Sequence, residues 1–465
     1  MGSIKFGIDG WRAIIAKDYT VENVKRVSEA TAQWMLQRSM KKVVIGYDCR
    51  FGGKMFSEVV ASIFGNFNIH VIMDANFVST PMVSLGVTHY GADLGVVITA
   101  SHNPPSYNGY KLKSSFGGPA LPNHIAEIET IIQETSLGNM PDVATLEKNG
   151  LLEYVDLEEL YIDHIKSNFD LNLISSANIN LAYDAMYGAG QNVMRRLFPD
   201  AALLHCEFNP SFHGQAPEPI HRNLTELSNY IKNNSSVNLG VANDGDADRI
   251  GLYDEDGEFV DSHHILLLLL TYMKEYKKED GKVIITFSVT NKMKKLAEIY
   301  GLDVEVTKIG FKYIAEIMTK EDVLVGGEES GGLAIKGHIP ERDGIWIALV
   351  IMEFMAKTGK SLKELIKDIY DKVGAFKFDR DDLHITDKVK KEIIAKCSNG
   401  DIKKIGDWNV LDTETIDGYK FLLENEQWIM VRPSGTEPVL RVYAQSTDND
   451  SVRQLLNDAH KALQA

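Results

Sequence analysis

Residues 94–105 read LGVVITASHNPP, and the fold turns on how they are read. Leu94, Val96, Val97 and Ile98 form a short, mostly β-branched run with no polar face. That is the pattern of a strand buried on both sides of a parallel sheet. Thr99-Ala100-Ser101-His102-Asn103 then leaves the strand, and Pro104-Pro105 forbids a helix from taking over. Upstream, KKVVIGYD (41–48), SEVVASIFG (57–65), NIHVIMDA (68–75) and TPMVSLGVTHYG (80–91) alternate strand-like and helix-like segments. The same order returns in NINLAYDA, GQNVMRRLF, AALLHCEF, LTELSNYIKNN and VNLGVAN (178–243). It returns again in KVIITFSV, NKMKKLAEIYG, LDVEVT, FKYIAEIMTKE and VLVGG (282–327). These are βαβ units of a mainly parallel sheet. Each third strand runs into a polar loop: SHNPP, DGDADR and EESGG. Open α/β sheets bind ligands beyond the carboxyl ends of their strands, so these loops are where chemistry is expected.

The breaks between units are LGNMPDVATLEKNG (137–150), DEDGEF (254–259) and DKVGAFKFDRDD (371–382). Beyond the last, DWNVLDT, GYKFLLEN, EQWIMVRP and LRVYAQS are short alternating runs, followed by the helical SVRQLLNDAHKAL. The expected fold is therefore α/β. Three similar domains with mixed, mainly parallel sheets span 1–148, 149–256 and 257–371. A smaller α+β domain with an antiparallel sheet spans 372–465, and the four surround a central cleft.

A chain of 465 residues is long enough for several cores. Its 49 basic and 65 acidic residues leave a net charge of −16, which argues against a nucleic-acid or anionic-membrane partner. An anionic substrate then requires positive charge concentrated locally. The three cysteines are widely spaced and odd in number, as expected for a reducing, cytoplasmic setting. The N-terminus MGSIKFGIDGW lacks a leader pattern. The apolar runs ILLLLLTYM (265–273) and GIWIALVIMEFMA (344–356) are shorter than the roughly 20 residues of a membrane span and read as core helices.

Ser101 beside His102 invites a nucleophile reading, but no third triad member lies within the stretch. ANDGDADRIG (242–251) sets Asp244, Asp246 and Asp248 at alternate positions. Carboxylates this close repel one another unless a hard divalent cation neutralises them. An EF-hand is excluded by Arg249, which stands where that loop needs Gly, and by strand-like flanks. Magnesium beside a phosphate fits best, and a solvated acidic turn is the plainer alternative. GGEESGGLAIKGHIPERDG (326–344) offers Glu328, Glu329 and Ser330 as acceptors for sugar hydroxyls, though such turns are also common on surfaces. VRPSGTEPVLR (431–441) gathers Arg432, Ser434, Gly435, Thr436 and Arg441, the donors that hold a phosphate dianion, or else a capped surface turn. Taken singly, Arg12, Arg50, Lys308 and His338 read as ordinary surface groups, and Cys49 as a small buried residue.

Taken together and in order, the motifs resemble the α-D-phosphohexomutase family across essentially the whole chain. TASHNPP with Lys111 is similar to its phosphoserine loop, DGDADR to its metal loop, GEES to its sugar loop and RPSGTEP to its phosphate loop. FGIDGWRA is similar to its N-terminal signature, with Ile8 where Thr is usual. The resemblance implies a mutase that interconverts hexose 1- and 6-phosphates through phosphorylated Ser101 and a hexose 1,6-bisphosphate intermediate. Mg²⁺ would be held by Asp244, Asp246, Asp248 and the phosphoserine. Arg12 and Lys111 take the general acid/base positions, and His102 and Arg249 line the site. Glu328, Ser330, Lys308 and Arg342 would meet the substrate, while Arg432, Ser434, Gly435, Thr436 and Arg441 would hold the unreactive phosphate. Many bacterial relatives have GEMSGH, with His where this chain has Gly332, so His338 is expected as the replacement. HIPERDGIW (338–346) resembles the HIREKDGLW of animal-type phosphoglucomutases, and Thr99 stands where phosphoglucosamine mutases more often have Ser, which together rank glucose phosphate first, mannose phosphate second and glucosamine phosphate third. A monomer or weak homodimer is expected.

Overall fold

The computed structural model describes residues 4–136, 140–433 and 439–464. By internal packing the chain divides into two units. One comprises Met1–Lys282 with Gly310–Leu365, the other Val283–Ile309 with Ile366–Ala465.

In the first unit, a six-stranded sheet uses β1 (Trp11–Ile14), β2 (Lys42–Tyr47), β3 (His70–Asp74), β4 (Leu94–Ile98), β5 (Tyr107–Ser114) and β6 (Leu152–Val155), in the order β1-β5-β4-β2-β3-β6. The β4-β2-β3-β6 part is parallel, and β5 and β1 extend it antiparallel. Every residue of β4 is buried, which is why its sequence shows no alternation. The antiparallel return through β5 follows directly from the Pro104-Pro105 loop and sets Lys111 opposite Val97. A second sheet uses β7 (Leu181–Asp184), β8 (Ala202–Leu204), β9 (Leu239–Asn243), β10 (Ile250–Tyr253) and β11 (Phe259–Val260), ordered β11-β10-β9-β7-β8. Its β9-β7-β8 part is parallel, and β9 enters the DGDADR loop before β10 returns antiparallel.

In the second unit, β12 (Lys282–Thr286) pairs in parallel with β13 (Val304–Thr307) from Val283 onward. In the first unit, β14 (Val323–Gly327) and β15 (Leu333–Ile335) flank the EESGG loop as an antiparallel pair. The division between the units thus runs through the expected 257–371 domain. Phe287 explains the grouping, because it packs in one cluster with Trp428, Met430 and Tyr443. The second unit also contains β16 (Lys377–His384), the short pair β17 (Lys404–Ile405) and β18 (Trp408–Asn409), then β19 (Asp412–Glu414), β20 (Tyr419–Leu422), β21 (Trp428–Pro433) and β22 (Val439–Ser446). Its five-stranded sheet, β16-β22-β21-β20-β19, is antiparallel throughout. The helix Asn449–Gln464 closes the chain, and Leu455 and Leu456 on it belong to the core of this sheet.

The two apolar runs become the helices Ser262–Thr271 and Gly344–Thr358, and none of the described helices is long and apolar enough to cross a membrane. Asp343 starts the second of them by accepting the Trp346 N–H at 2.9 Å, and Gly359 ends it in a left-handed turn.

Candidate active site

Ser101 is fully buried and stands in the left-handed region with φ of 52°. For a non-glycine residue this costs about 1–3 kcal/mol and persists only where surroundings over-determine it. Here they do. The Ser101 amide donates to Thr99 Oγ1 at 2.8 Å, and Thr99 Oγ1 donates in turn to Asp48 Oδ2 at 2.5 Å. The Ser101 carbonyl accepts from Arg50 Nη2 at 2.5 Å. Gly245 lies against that same carbonyl, because a Cβ at 245 would stand 2.6 Å from it. The hydroxyl left free by this arrangement donates to Asp244 Oδ2 at 2.6 Å, and His102 Nδ1 lies 3.3 Å from Oγ.

The three aspartates are also fully buried, and their carboxylates lie within 4.8 Å of one another. The loop is pinned by the start of the helix Thr80–His89: the Thr80 amide donates to the Asp246 carbonyl at 3.0 Å and its hydroxyl to Asp246 Oδ2 at 2.6 Å. Lys111 Nζ reaches Asp246 at 2.7 Å, Asp248 at 2.8 Å and Asp9 at 2.9 Å. Burial alone would lower this amine, but Asp246, Asp248 and Asp9 hold it above the usual lysine range. Burial would raise Asp246 and Asp9; Lys111 pulls Asp246 down, and Arg342 and Lys111 pull Asp9 down. Asp244 goes the other way, pushed well up by burial and by Asp246 and Asp248. Asp246 Oδ1 and Asp248 Oδ1 are buried without a hydrogen-bond partner among the described residues. Two orphan oxygens beside an over-acidic cluster are what a hard divalent cation would satisfy, so the residues present fit Mg²⁺.

Burial and the cations Arg249, Arg12, Lys111 and Arg50 push the His102 imidazole well below its usual value, so it is neutral at pH 7. Arg12 is tethered by Asn103 Oδ1 at 2.7 Å and Asp9 Oδ2 at 3.3 Å. Arg249 and Gly332 form an isolated bridge that joins the metal-type loop to the EESGG loop. Glu328 is buried, raised by that burial, and hydrogen-bonded to Ser330.

Arg342 binds Asp9 and Asp248 at 2.7 Å each and lies 3.6 Å from Glu328. A Cβ at position 332 would collide with Arg342 Cδ. Arg342 therefore occupies the room that a side chain at 332 would need. His338, expected to supply the missing histidine, is engaged with other partners. Its side chain is 2% exposed, its Nε2 lies 2.9 Å from Asp343 Oδ2, and its ring stacks on Trp346 at 3.8 Å. Those contacts make it a support for the start of the helix Gly344–Thr358.

Arg50 departs from its surface reading as well, since it is completely buried. Asp9, Asp48 and Thr80 were not singled out from the sequence, and Thr99 was noted only for substrate preference. Asp9 and Asp48 each carried one signal, a carboxylate next to a noted arginine motif (IDGWR, YDCR). In the second unit, Arg432 and Arg441 are directly opposed across β21 and β22, and lie 3.2 Å from Asp417 and 3.6 Å from Asp382 respectively. Lys308 follows β13 and is exposed. Ser434, Gly435 and Thr436 lie outside the described residues.

Models of the four domains of phosphoglucomutase/phosphomannomutase match the chain: α/β/α domain I over 3–138, domain II over 159–257, domain III over 261–373, and the C-terminal domain over 383–462. The chain is 29% identical over 470 residues to a phosphoglucomutase/phosphomannomutase of Thermococcus kodakarensis, covering 100% of this chain and 99% of the relative. It is 30% identical over 479 residues to a phosphoglucosamine/phosphogalactosamine mutase of Sulfurisphaera tokodaii, covering 100% of both. Among solved structures, it matches a putative phosphomannomutase from Thermus thermophilus with a TM-score of 0.88, 31% identity and full coverage of both chains.

Proposed function

The chain belongs to the phosphoglucomutase/phosphomannomutase family of α-D-phosphohexomutases, and on that premise we propose that it interconverts hexose 1- and 6-phosphates with Ser101 as the phosphoryl carrier. One observation carries this reading: the strained, buried Ser101 hydroxyl donates to Asp244 of the carboxylate triad, while Lys111 binds the other two. A triad hydrolase would need His102 to be oriented by a carboxylate, whereas cations surround it here.

In this reading a substrate hydroxyl attacks the phosphorus of phosphorylated Ser101. The new P–O bond forms as the bond to Ser101 Oγ breaks, and the proton the hydroxyl loses is matched by the one that Ser101 Oγ gains, leaving a free serine hydroxyl. Asp244, Asp246, Asp248 and a phosphoserine oxygen would hold Mg²⁺, which when bound draws charge from the transferring group. Lys111 Nζ, kept charged by its carboxylates, holds protons for the oxygen that departs. Arg12 is fixed on the same loop by Asn103. His102 stands beside Oγ, its Nδ1 3.3 Å away. Arg249, whose Nε is buried without a hydrogen-bond partner among the described residues, is left to meet an anionic substrate. Glu328, Ser330, Lys308 and Arg342 are assigned to the sugar phosphate. Arg432 and Arg441, directly opposed across β21 and β22, with Ser434, Gly435 and Thr436 between them in the chain, are assigned to the second phosphate, since guanidinium groups brought side by side suit a dianion. Hexose 1,6-bisphosphate is the intermediate that must reorient, and it serves as activator.

Glucose phosphate is proposed as the preferred substrate. Its support is the HIPERDGIW segment, which bears Arg342, and Thr99, which stands where phosphoglucosamine mutases more often have Ser. The test is a coupled assay with glucose 1-phosphate, Mg²⁺ and a trace of glucose 1,6-bisphosphate. Turnover by the wild type and its loss in Ser101→Ala are expected; no turnover, or undiminished turnover in Ser101→Ala, overturns the reading. Comparing kcat/KM for glucose, mannose and glucosamine phosphates tests preference separately, and a glucosamine or mannose optimum removes the glucose assignment alone.

A further inference from the structure

Arg50 sits at the end of β2, entirely buried. Its guanidinium donates to four main-chain carbonyls of a single loop. Nη2 reaches Ser101 O at 2.5 Å and Asn103 O at 2.6 Å, and Nη1 reaches Pro104 O at 3.0 Å and Tyr107 O at 3.2 Å. A planar fork with five donors can make this grip; a lysine ammonium cannot reproduce it. Asp48 holds the fork from behind, with Oδ1 accepting the Arg50 amide at 2.9 Å and Oδ2 lying 3.4 Å from Nε. The same carboxylate accepts the Thr99 hydroxyl, which fixes the Ser101 amide. The Ser101 peptide is thus held at its N–H through Thr99 and at its carbonyl by Arg50. Both restraints originate at Asp48. On the far side, the Phe212 ring covers the guanidinium with its centroid 4.8 Å from Cζ.

We propose that Arg50 is a positioning residue for phosphoryl transfer: together with Asp48 and Thr99 it holds Ser101 in the left-handed conformation that aims Oγ at the carboxylate triad. This rests on Ser101 being the phosphoryl carrier. Arg50 does not touch the transferring group; it acts through four carbonyls of the loop that bears it. Beyond Ser101 the side chains of the loop are half-buried or exposed from His102 to Ser106, so they give the serine little packing, and the restraint comes from Arg50. Releasing it lets Ser101 relax toward ordinary backbone angles, which moves Oγ away from Asp244 without altering the residues that bind the sugar.

The test uses the full-length enzyme and the variants Arg50→Lys and Thr99→Val. For each, kcat and KM for hexose 1-phosphate are measured, together with the single-turnover rate at which glucose 1,6-bisphosphate phosphorylates Ser101, read by intact mass. Misplacing a reacting atom by about 1 Å costs about 100-fold. Arg50→Lys is therefore expected to lower kcat and the phosphorylation rate by about 100-fold with KM within about threefold of wild type. Thr99→Val, which cuts one of the two restraints, is expected to lose about tenfold in the same two rates. Wild-type kcat and phosphorylation rate in folded Arg50→Lys overturn the proposal, as does a loss confined to KM. Should Arg50→Lys fail to fold, Thr99→Val decides: wild-type rates in it overturn the proposal. Wild-type enzyme that never phosphorylates Ser101 overturns the carrier reading instead, so the two failures are distinguishable.

Discussion

Lys111 in the first unit and Lys420 in the second are buried to 1% and 2% exposure, yet their surroundings differ in kind. Lys111 meets three carboxylates. Lys420 donates to the Val289 carbonyl at 3.1 Å and to Asn291 Oδ1 at 3.0 Å, and lies over the Trp428 ring at 4.1 Å from its centroid. Burial pushes the Lys420 ammonium down to about 7, while the carboxylates keep Lys111 above the ordinary lysine range. Desolvation is common to both, and countercharge decides the outcome. A lysine among aromatic rings and carbonyls serves packing and titrates near neutrality. A lysine locked to the carboxylates of a metal-type loop stays a cation, available to phosphate chemistry.

The hardest way to break this contrast is Lys111→Met. It strips the cation from three buried carboxylates, and removing one partner of a buried pair costs about 3–5 kcal/mol. Turnover should fall by at least about 1000-fold, with a lowered thermal midpoint at neutral pH. A midpoint equal to wild type would mean that the carboxylates do not depend on Lys111. Gly245→Ala should follow. Its Cβ would stand 2.6 Å from the Ser101 carbonyl, forcing the serine loop and the aspartate loop apart, and steady-state assays should find kcat reduced about 100-fold. Unchanged kcat would show that the approach of the two loops is dispensable.

Metal is the next lever. Mg²⁺ at about 100 times its dissociation constant should stabilise wild type by about 2.7 kcal/mol, read as an upward shift in thermal midpoint that chelation reverses. The same titration on Asp246→Asn should give a much smaller shift, and an equal shift would locate the ion elsewhere. The last lever is Lys420, which acts on stability alone. Between about pH 7, where the buried amine titrates, and the ordinary lysine value of 10.5, the unfolded chain holds a proton that the folded chain does not. Stability therefore rises with pH across that window, by at most about 1.4 kcal/mol per pH unit, and that contribution is lost as pH falls through 7. Unfolding measured from pH 7 to 10 should lose this slope in Lys420→Met; an unaltered slope would assign it to another group.

The elements that could be read directly were those with local signatures. The all-apolar β4 and the capped helices follow from runs of a few residues. The alternation of Asp244, Asp246 and Asp248 announces mutual repulsion whatever the fold. Arg50, Asp9 and Asp48 could not be read this way, because an isolated charge in sequence is indistinguishable from a surface residue until its burial is known. The surroundings of His338 were illegible for a related reason: it is four residues from Arg342, but side chains so close in sequence can point to opposite sides of the backbone. The room at Gly332 was taken by Arg342, which only packing reveals.

By itself the sequence determined the repeated strand–helix units, the four polar loops and their donor chemistry, since each depends on neighbours a few residues apart. Tertiary structure alone decided which charges are desolvated and paired. The state of Lys111 depends on Asp9, Asp246 and Asp248, and the conformation of Ser101 on Asp48, Arg50 and Gly245. All of these are contributed by segments remote in the chain, and the strength of their interactions is set by exclusion of water.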